Sequence, residues 1–157
     1  MIHALPVTQT HSPVTQFPDP MPYTILLETP SPETYRALRQ QCGLSAKSTV
    51  AAARGLPNSL FAVQILHQGA PVGMGRVIGD GGCFYQVVDI CVLPQHQGQG
   101  LGKLIMAQIM QYLNDHAPAS AYVSLIADGE AHRLYAQSGF ALTAPHSVGM
   151  WWKPAAH

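Results

Sequence analysis

Val92-Leu93-Pro94-Gln95-His96-Gln97-Gly98-Gln99-Gly100-Leu101-Gly102-Lys103 joins an apolar run to an amphipathic one. Upstream, residues 84–93 (FYQVVDICVL) are largely apolar and read as a central strand that Pro94 ends. Downstream, Leu101, Leu104, Ile105, Ile109, Tyr112 and Leu113 recur at helical spacing, which predicts a helix over residues 101–114. A buried strand, a glycine turn and a helix start therefore follow one another. The first amides of a helix lack intrahelical partners and carry the positive end of its dipole, so they attract an anion. Glycine permits the close backbone approach and positive φ that such a turn needs. Lys103 opposes the helix dipole but suits a neighbouring phosphate. A glycine-rich connection without a ligand is the alternative, at the cost of three residues that weaken the helix start.

Two common phosphate motifs fail on specific residues. A Walker A loop requires glycine where Gln97 stands and Ser or Thr where Leu104 stands. A dinucleotide fingerprint requires a third glycine where Lys103 stands. The element order also lacks repeated β-α-β units.

Working outward, residues 23–28 (YTILLE) read as a strand, and Ser31-Pro32-Glu33 as a helix start. That helix runs to about Cys42 and stops at Gly43; a second occupies residues 45–54 and stops at Gly55. Residues 58–67 and 71–78 form strands joined by a hairpin at Gln68-Gly69. After the glycine loop and its helix come a strand over residues 121–127 and a helix over 129–138 that Gly139 ends. Residues 140–143 and 148–153 read as two last strands. The order is β-α-α-β-β-β-α-β-α-β-β in one domain, residues 23–157. Residues 1–22 hold Pro6, Pro13, Pro18, Pro20 and Pro22 and read as a flexible or extended arm, either a disordered tail or a segment that meets a partner.

Gln97-Gly98-Gln99-Gly100-Leu101-Gly102 resembles the Q/R-x-x-G-x-G/A acyl-CoA loop of the GNAT superfamily of N-acetyltransferases. Asp89-Ile90-Cys91-Val92-Leu93-Pro94 resembles that family's fourth strand. Asp128-x-x-Ala131-x-x-Leu134-Tyr135-x-x-x-Gly139-Phe140 resembles its second signature, with Asp128 where Asn is commoner. A carboxylate only accepts hydrogen bonds, whereas Asn also donates. The resemblance implies an α/β fold of the α+β kind: a mixed, mostly antiparallel sheet flanked by helices. It implies acetyl-CoA as co-substrate, with Gln97, Gly98, Gln99, Gly100, Leu101, Gly102 and Lys103 on its pyrophosphate. It also implies Ile90, Cys91 and Val92 as main-chain partners of the pantetheine arm, and Asp128 and Ala131 beside it. The implied reaction is direct attack of a primary amine, on a small molecule or a peptide, upon the thioester. A non-catalytic acyl-CoA-binding regulator on the same fold is the rival.

Tyr135 falls at the family's general-acid position. A phenol of pKa ~10 keeps its proton at neutral pH and can give it to a leaving sulfur; its ring could equally pack on the core. An alkylamine of pKa ~10.4 is mostly protonated at neutral pH, so a base or water relay helps. Asp89 interrupts an apolar strand and is the candidate base, with structural hydrogen bonding or an ion pair to Arg76 as the other reading. Arg76 could instead read an acidic group on the substrate. Glu28, Tyr85, Arg76, Trp151 and Trp152 are candidates for the acceptor site. Cys91 has no histidine beside it in sequence and reads as a packed thiol, and His132 as a surface residue.

Composition narrows the rest. Net charge is zero with only 10% charged residues, so no clustered Lys and Arg suggest a nucleic-acid footprint, and self-repulsion opposing a homodimer is small. Cys42, Cys83 and Cys91 form no CxxC pair, which fits reduced thiols in the cytoplasm. The eight histidines form no HxxxH or HxH pair near a carboxylate, so no metal site is expected. No signal peptide or membrane-spanning run is read.

Overall fold

A computed structural model describes residues 22–155. The arm expected over residues 1–22 lies outside the described residues except for Pro22. Five strands form one sheet in sequential order: β1 (Tyr23–Leu26), β2 (Phe61–His67), β3 (Ala70–Gly79), β4 (Phe84–Val92) and β5 (Tyr122–Leu125). Every pairing is antiparallel except β4 with β5, which is parallel. Gln68 and Gly69 take φ of 50° and 80°, the left-handed pair that a tight hairpin between β2 and β3 demands.

Four helices cover the sheet: α1 (Pro32–Gln41), α2 (Thr49–Gly55), α3 (Leu101–His116) and α4 (His132–Ala136). Ser31 caps α1 as expected, its Oγ accepting from the Thr34 amide at 3.1 Å. The second helix starts at Thr49 rather than Ser45, because Ser48 is the residue whose hydroxyl accepts from a first-turn amide, that of Ala51.

Adjacent residues of β3 show how the layers lie. A Cβ on Gly75 would stand 2.6 Å from Ile105 Cγ2, so α3 rests directly on that face. Arg76 beside it reaches Tyr35 of α1 on the other face. Val63, Ile65, Met74, Val77, Ile105 and Ile109 have no solvent exposure and form the centre of the core. No helix among the described residues is long and apolar enough to cross a membrane.

The C-terminal part departs from expectation. The helix expected over residues 129–138 is a 3-10 turn followed by the five residues of α4. The strands expected at residues 140–143 and 148–153 are absent, and the observed order ends β-α. Thr143 and Ser147 bond each other instead, through Ser147 N to Thr143 O at 3.1 Å and Thr143 Oγ1 to Ser147 O at 3.1 Å. That local turn takes the polar groups a sheet would have used. Leu142, Val148, Met150, Trp151 and Trp152 are left exposed.

Candidate active site

The site begins with an irregularity in β4. Met74 pairs with Cys91 and Arg76 with Val88, so Gly75 alone opposes both Asp89 and Ile90. This is a β-bulge, and Asp89 takes a φ of 60°, left-handed backbone that aspartate tolerates better than branched residues. Pairing of β4 with β5 stops just before it, at Val87 and Leu125. Beyond that point β4 has no strand partner on the β5 side, and its main-chain groups there face a cleft.

Asp89 is held from three directions. Its Oδ1 accepts from Tyr35 Oη at 3.2 Å and from Arg39 Nη1, and its Oδ2 from Arg76 Nε at 2.7 Å and Nη2 at 2.7 Å. All three charged side chains are more than nine-tenths buried. The reading of Asp89 as an ion-pair partner of Arg76 is therefore what the geometry displays. Both of its oxygens are engaged.

The cleft holds two chambers. One, of about 440 Å³, lies along the glycine loop and is lined by Cys91, Val92, Gly98 and Gly100 among others. The other, of about 750 Å³, lies between α1, the bulged part of β4 and the segment leading into α4. Cys42, Leu44, Ile90, Gln97, Ala131 and Tyr135 line both, so these residues form the junction.

At the loop, Gly98 and Gly100 have φ of 75° and 80°, and Gly100 caps α3 with no side-chain bond to the helix. Leu104 is the first residue whose amide reaches back, to Gly100 O at 3.0 Å, so the amides of Leu101, Gly102 and Lys103 precede the helical ladder. Side chains brace the turn from behind. Gln97 Nε2 donates to Val92 O at 3.0 Å, and Tyr23 Oη donates to Gln99 Oε1 at 2.9 Å while lying 3.0 Å from His96 Nδ1. The third glycine serves packing: a Cβ on Gly102 would lie 3.2 Å from Leu134 of α4. Lys103 is exposed and lines the groove between α3 and α4, not the loop chamber.

Tyr135 stands at the junction. Burial, then the charge of Asp128, push its phenol above the ordinary value, so the proton is retained. Asp128 is exposed and lines the larger chamber. Cys91 shares a hydrogen bond with Cys42; that bond, then burial, pushes its thiol well up, which keeps it a protonated packing group.

The structure brings Arg76, Asp89, Ile90, Gln97, Asp128, Ala131 and Tyr135 together in the lining of the larger chamber. The other acceptor candidates lie outside both chambers. Tyr85 is buried, with its hydroxyl 3.5 Å from His116 O, and Glu28 is exposed outside both chambers while its carbonyl accepts from Gln64 Nε2. Trp151 and Trp152 are exposed outside both as well. His132 is exposed, as expected. Tyr35, Arg39, Lys47 and Gln86 line the larger chamber and were missed. Tyr35 and Arg39 sit four apart on α1, a spacing that puts them on one face. Among the described residues, no group of three or more His, Cys, Asp or Glu could hold a metal.

The family described as the acetyltransferase (GNAT) domain matches residues 29–152. The uncharacterised N-acetyltransferase ycf52 of Gracilaria tenuistipitata var. liui is 36% identical over 84 residues, 53% of this chain and 44% of that protein. The chloroplastic GCN5-related N-acetyltransferase 2 of Arabidopsis thaliana is 31% identical over 83 residues, 53% of this chain and 31% of that protein. The chain thus spans less than half the length of these curated relatives. Among solved structures, a Staphylococcus aureus protein described as a probable acetyltransferase is 48% identical with a TM-score of 0.81, covering 84% of this chain and 99% of that one. A GNAT family acetyltransferase of Streptococcus pneumoniae is 27% identical with a TM-score of 0.69, covering 85% and 99%. With the loop, the bulged strand and the second signature in these positions, the chain belongs to the GNAT acetyltransferase family.

Proposed function

We propose that this protein is an N-acetyltransferase that moves an acetyl group from acetyl-CoA to a primary amine of a small molecule or peptide, within one ternary complex. The observation that carries this is the junction: two chambers meet at Tyr135, one floored by helix-start amides and the other open to a second molecule. The free amides of α3, with Gly98 and Gly100 left-handed and without a side chain in the way, fit a pyrophosphate. The backbone of residues 90–92 has no strand partner on the β5 side, apart from the Gln97 bond to Val92 O, and suits the amide-rich pantetheine arm and an acyl carbonyl.

Bound acetyl-CoA supplies an activated thioester. Tyr135 keeps its proton and is placed to donate it to the departing sulfur. With Asp89 engaged by two arginines and a tyrosine, water in the larger chamber takes the proton from the amine. The test is CoA release across an amine panel, with thermal shifts in acetyl-CoA and ATP beside it. Acylation of at least one amine, and stabilisation by acetyl-CoA but not ATP, is the expected result. A non-catalytic acyl-CoA-binding regulator is the second reading, favoured by the engagement of Asp89. It prevails if acetyl-CoA binds and no amine is acylated.

The protein is also proposed to self-associate as a homodimer. Tyr122, Ile126, Leu142, Val148, Met150, Trp151 and Trp152 are exposed, and β5 is the last strand of the sheet. All three cysteines are free, which supports a reducing, cytoplasmic setting.

A further inference from the structure

We infer that the larger chamber selects acceptor amines that also carry an anionic group, a carboxylate or a phosphate, which docks on the Arg39–Asp89–Arg76 cluster with Lys47 beside it. The inference rests on the acyl-transfer reading and names its substrate class.

The first argument is charge. Two guanidiniums share one carboxylate, and all three side chains are more than nine-tenths buried. Their sum is one positive charge at the wall of the chamber. Among the described residues, no other carboxylate lies within ion-pair distance of either arginine. The remaining partners are dipoles: Ser45 O and Oγ on Arg39, Ser59 Oγ on Arg76. Arg39 also sits in the last turn of α1, whose dipole end offsets about half a charge and leaves the cluster positive. Lys47 lines the same chamber and adds a second positive charge. Asp128 lines it too and offsets that second charge, so the chamber keeps one net positive charge, concentrated at the arginine pair.

The second argument is donor capacity. A guanidinium has five N–H groups. Arg39 gives Nε to Ser45 O, one Nη1 hydrogen to Asp89 and one Nη2 hydrogen to Ser45 Oγ. Arg76 gives Nε and one Nη2 hydrogen to Asp89, and one Nη1 hydrogen to Ser59 Oγ. Each keeps two N–H groups beyond these bonds, in the planar arrangement that suits carboxylate and phosphate oxygens. Tyr35 caps the pair, its ring 5.6 Å and 5.2 Å from the two guanidinium carbons, a cation–π contact with each.

The same charge acts on the reacting end. An ammonium near a positive cluster is disfavoured relative to the neutral amine. The cluster thus holds the acidic end of the acceptor and favours the nucleophilic form at the other.

The experiment compares three amines of one carbon skeleton, ending in a carboxylate, a phosphate or a neutral amide, with acetyl-CoA and the full chain. CoA release gives kcat and KM for each. One or both acidic arms should exceed the neutral arm in kcat/KM by roughly 10- to 100-fold, chiefly through KM, as for hydrogen bonds to charged groups. Arg76→Gln, which leaves one cation on one carboxylate, should collapse that ratio. If Arg76→Gln does not fold, Lys47→Gln at an exposed position should lower the ratio severalfold. A neutral arm as good as the acidic ones, or a ratio unchanged in the folded variants, overturns the inference and leaves acyl transfer standing. Acetyl-CoA binding with no turnover in any arm overturns both.

Discussion

Arg76 and Asp89 are joined twice across the β3–β4 ladder, Nε and Nη2 of the arginine each 2.7 Å from the same carboxylate oxygen. Asp89→Asn keeps the shape and the tolerance for left-handed backbone but removes the charge between two buried cations. The expected loss is about 3–5 kcal/mol of stability, the cost of breaking a buried pair. Denaturant unfolding measures it. A catalytic base would behave oppositely, losing activity with its unfolding midpoint unchanged.

Tyr135→Phe should lower kcat by ~10²-fold or more, as for loss of a general acid. Acetyl-CoA affinity by calorimetry should stay nearly constant. The sign of the pH effect follows from the raised phenol. The acid must be protonated to act, and raising its pKa keeps the proton on further into alkali. The wild-type kcat profile should therefore show no alkaline fall from this group until pH passes the ordinary phenol value of ~10. A fall well below that would assign the acid role elsewhere.

Two glycines should respond in opposite directions. Gly75→Ala drives a methyl to 2.6 Å from Ile105 Cγ2 and 3.0 Å from Ile109 Cδ1, overpacking expected to cost about 1–3 kcal/mol. Gly55 has helical backbone and nothing within 4 Å of a built Cβ. Gly55→Ala should stabilise by about 0.4–1 kcal/mol, by restricting the unfolded chain. Paired thermal melts decide both.

Trp151→Ser with Trp152→Ser should shift sedimentation from dimer toward monomer without lowering the melting temperature of the monomer. These indoles are about four-fifths exposed in the single chain, so removing them takes little from its own core. An unchanged sedimentation profile counts against the proposed dimer on this surface.

What was legible in the sequence was local. Ser31-Pro32 at the start of α1, Gln68-Gly69 at the hairpin and the glycine loop before α3 each declare their backbone through residues a few positions apart. The bulge at Asp89 does not. It is held by Arg39, fifty positions earlier, and by Arg76 across a ladder, so no window of sequence contains its cause. The burial of Tyr85 was not legible for a similar reason: its polar tip finds a carbonyl at the end of α3 and lets the ring stay in the core. Residues 148–153 have the apolar content of a strand, but a strand exists only with a partner, and β5 meets only β4.

The bond from Tyr23 to Gln99 ties positions 76 apart in the chain. Tyr23 opens β1, the first strand, while Gln99 lies in the glycine loop. A contact of such separation carries the entropic cost of a long closure, so it forms only after the intervening strands have paired. The glycine turn before α3 is thus completed late in assembly, and its order reports whether the whole sheet has closed.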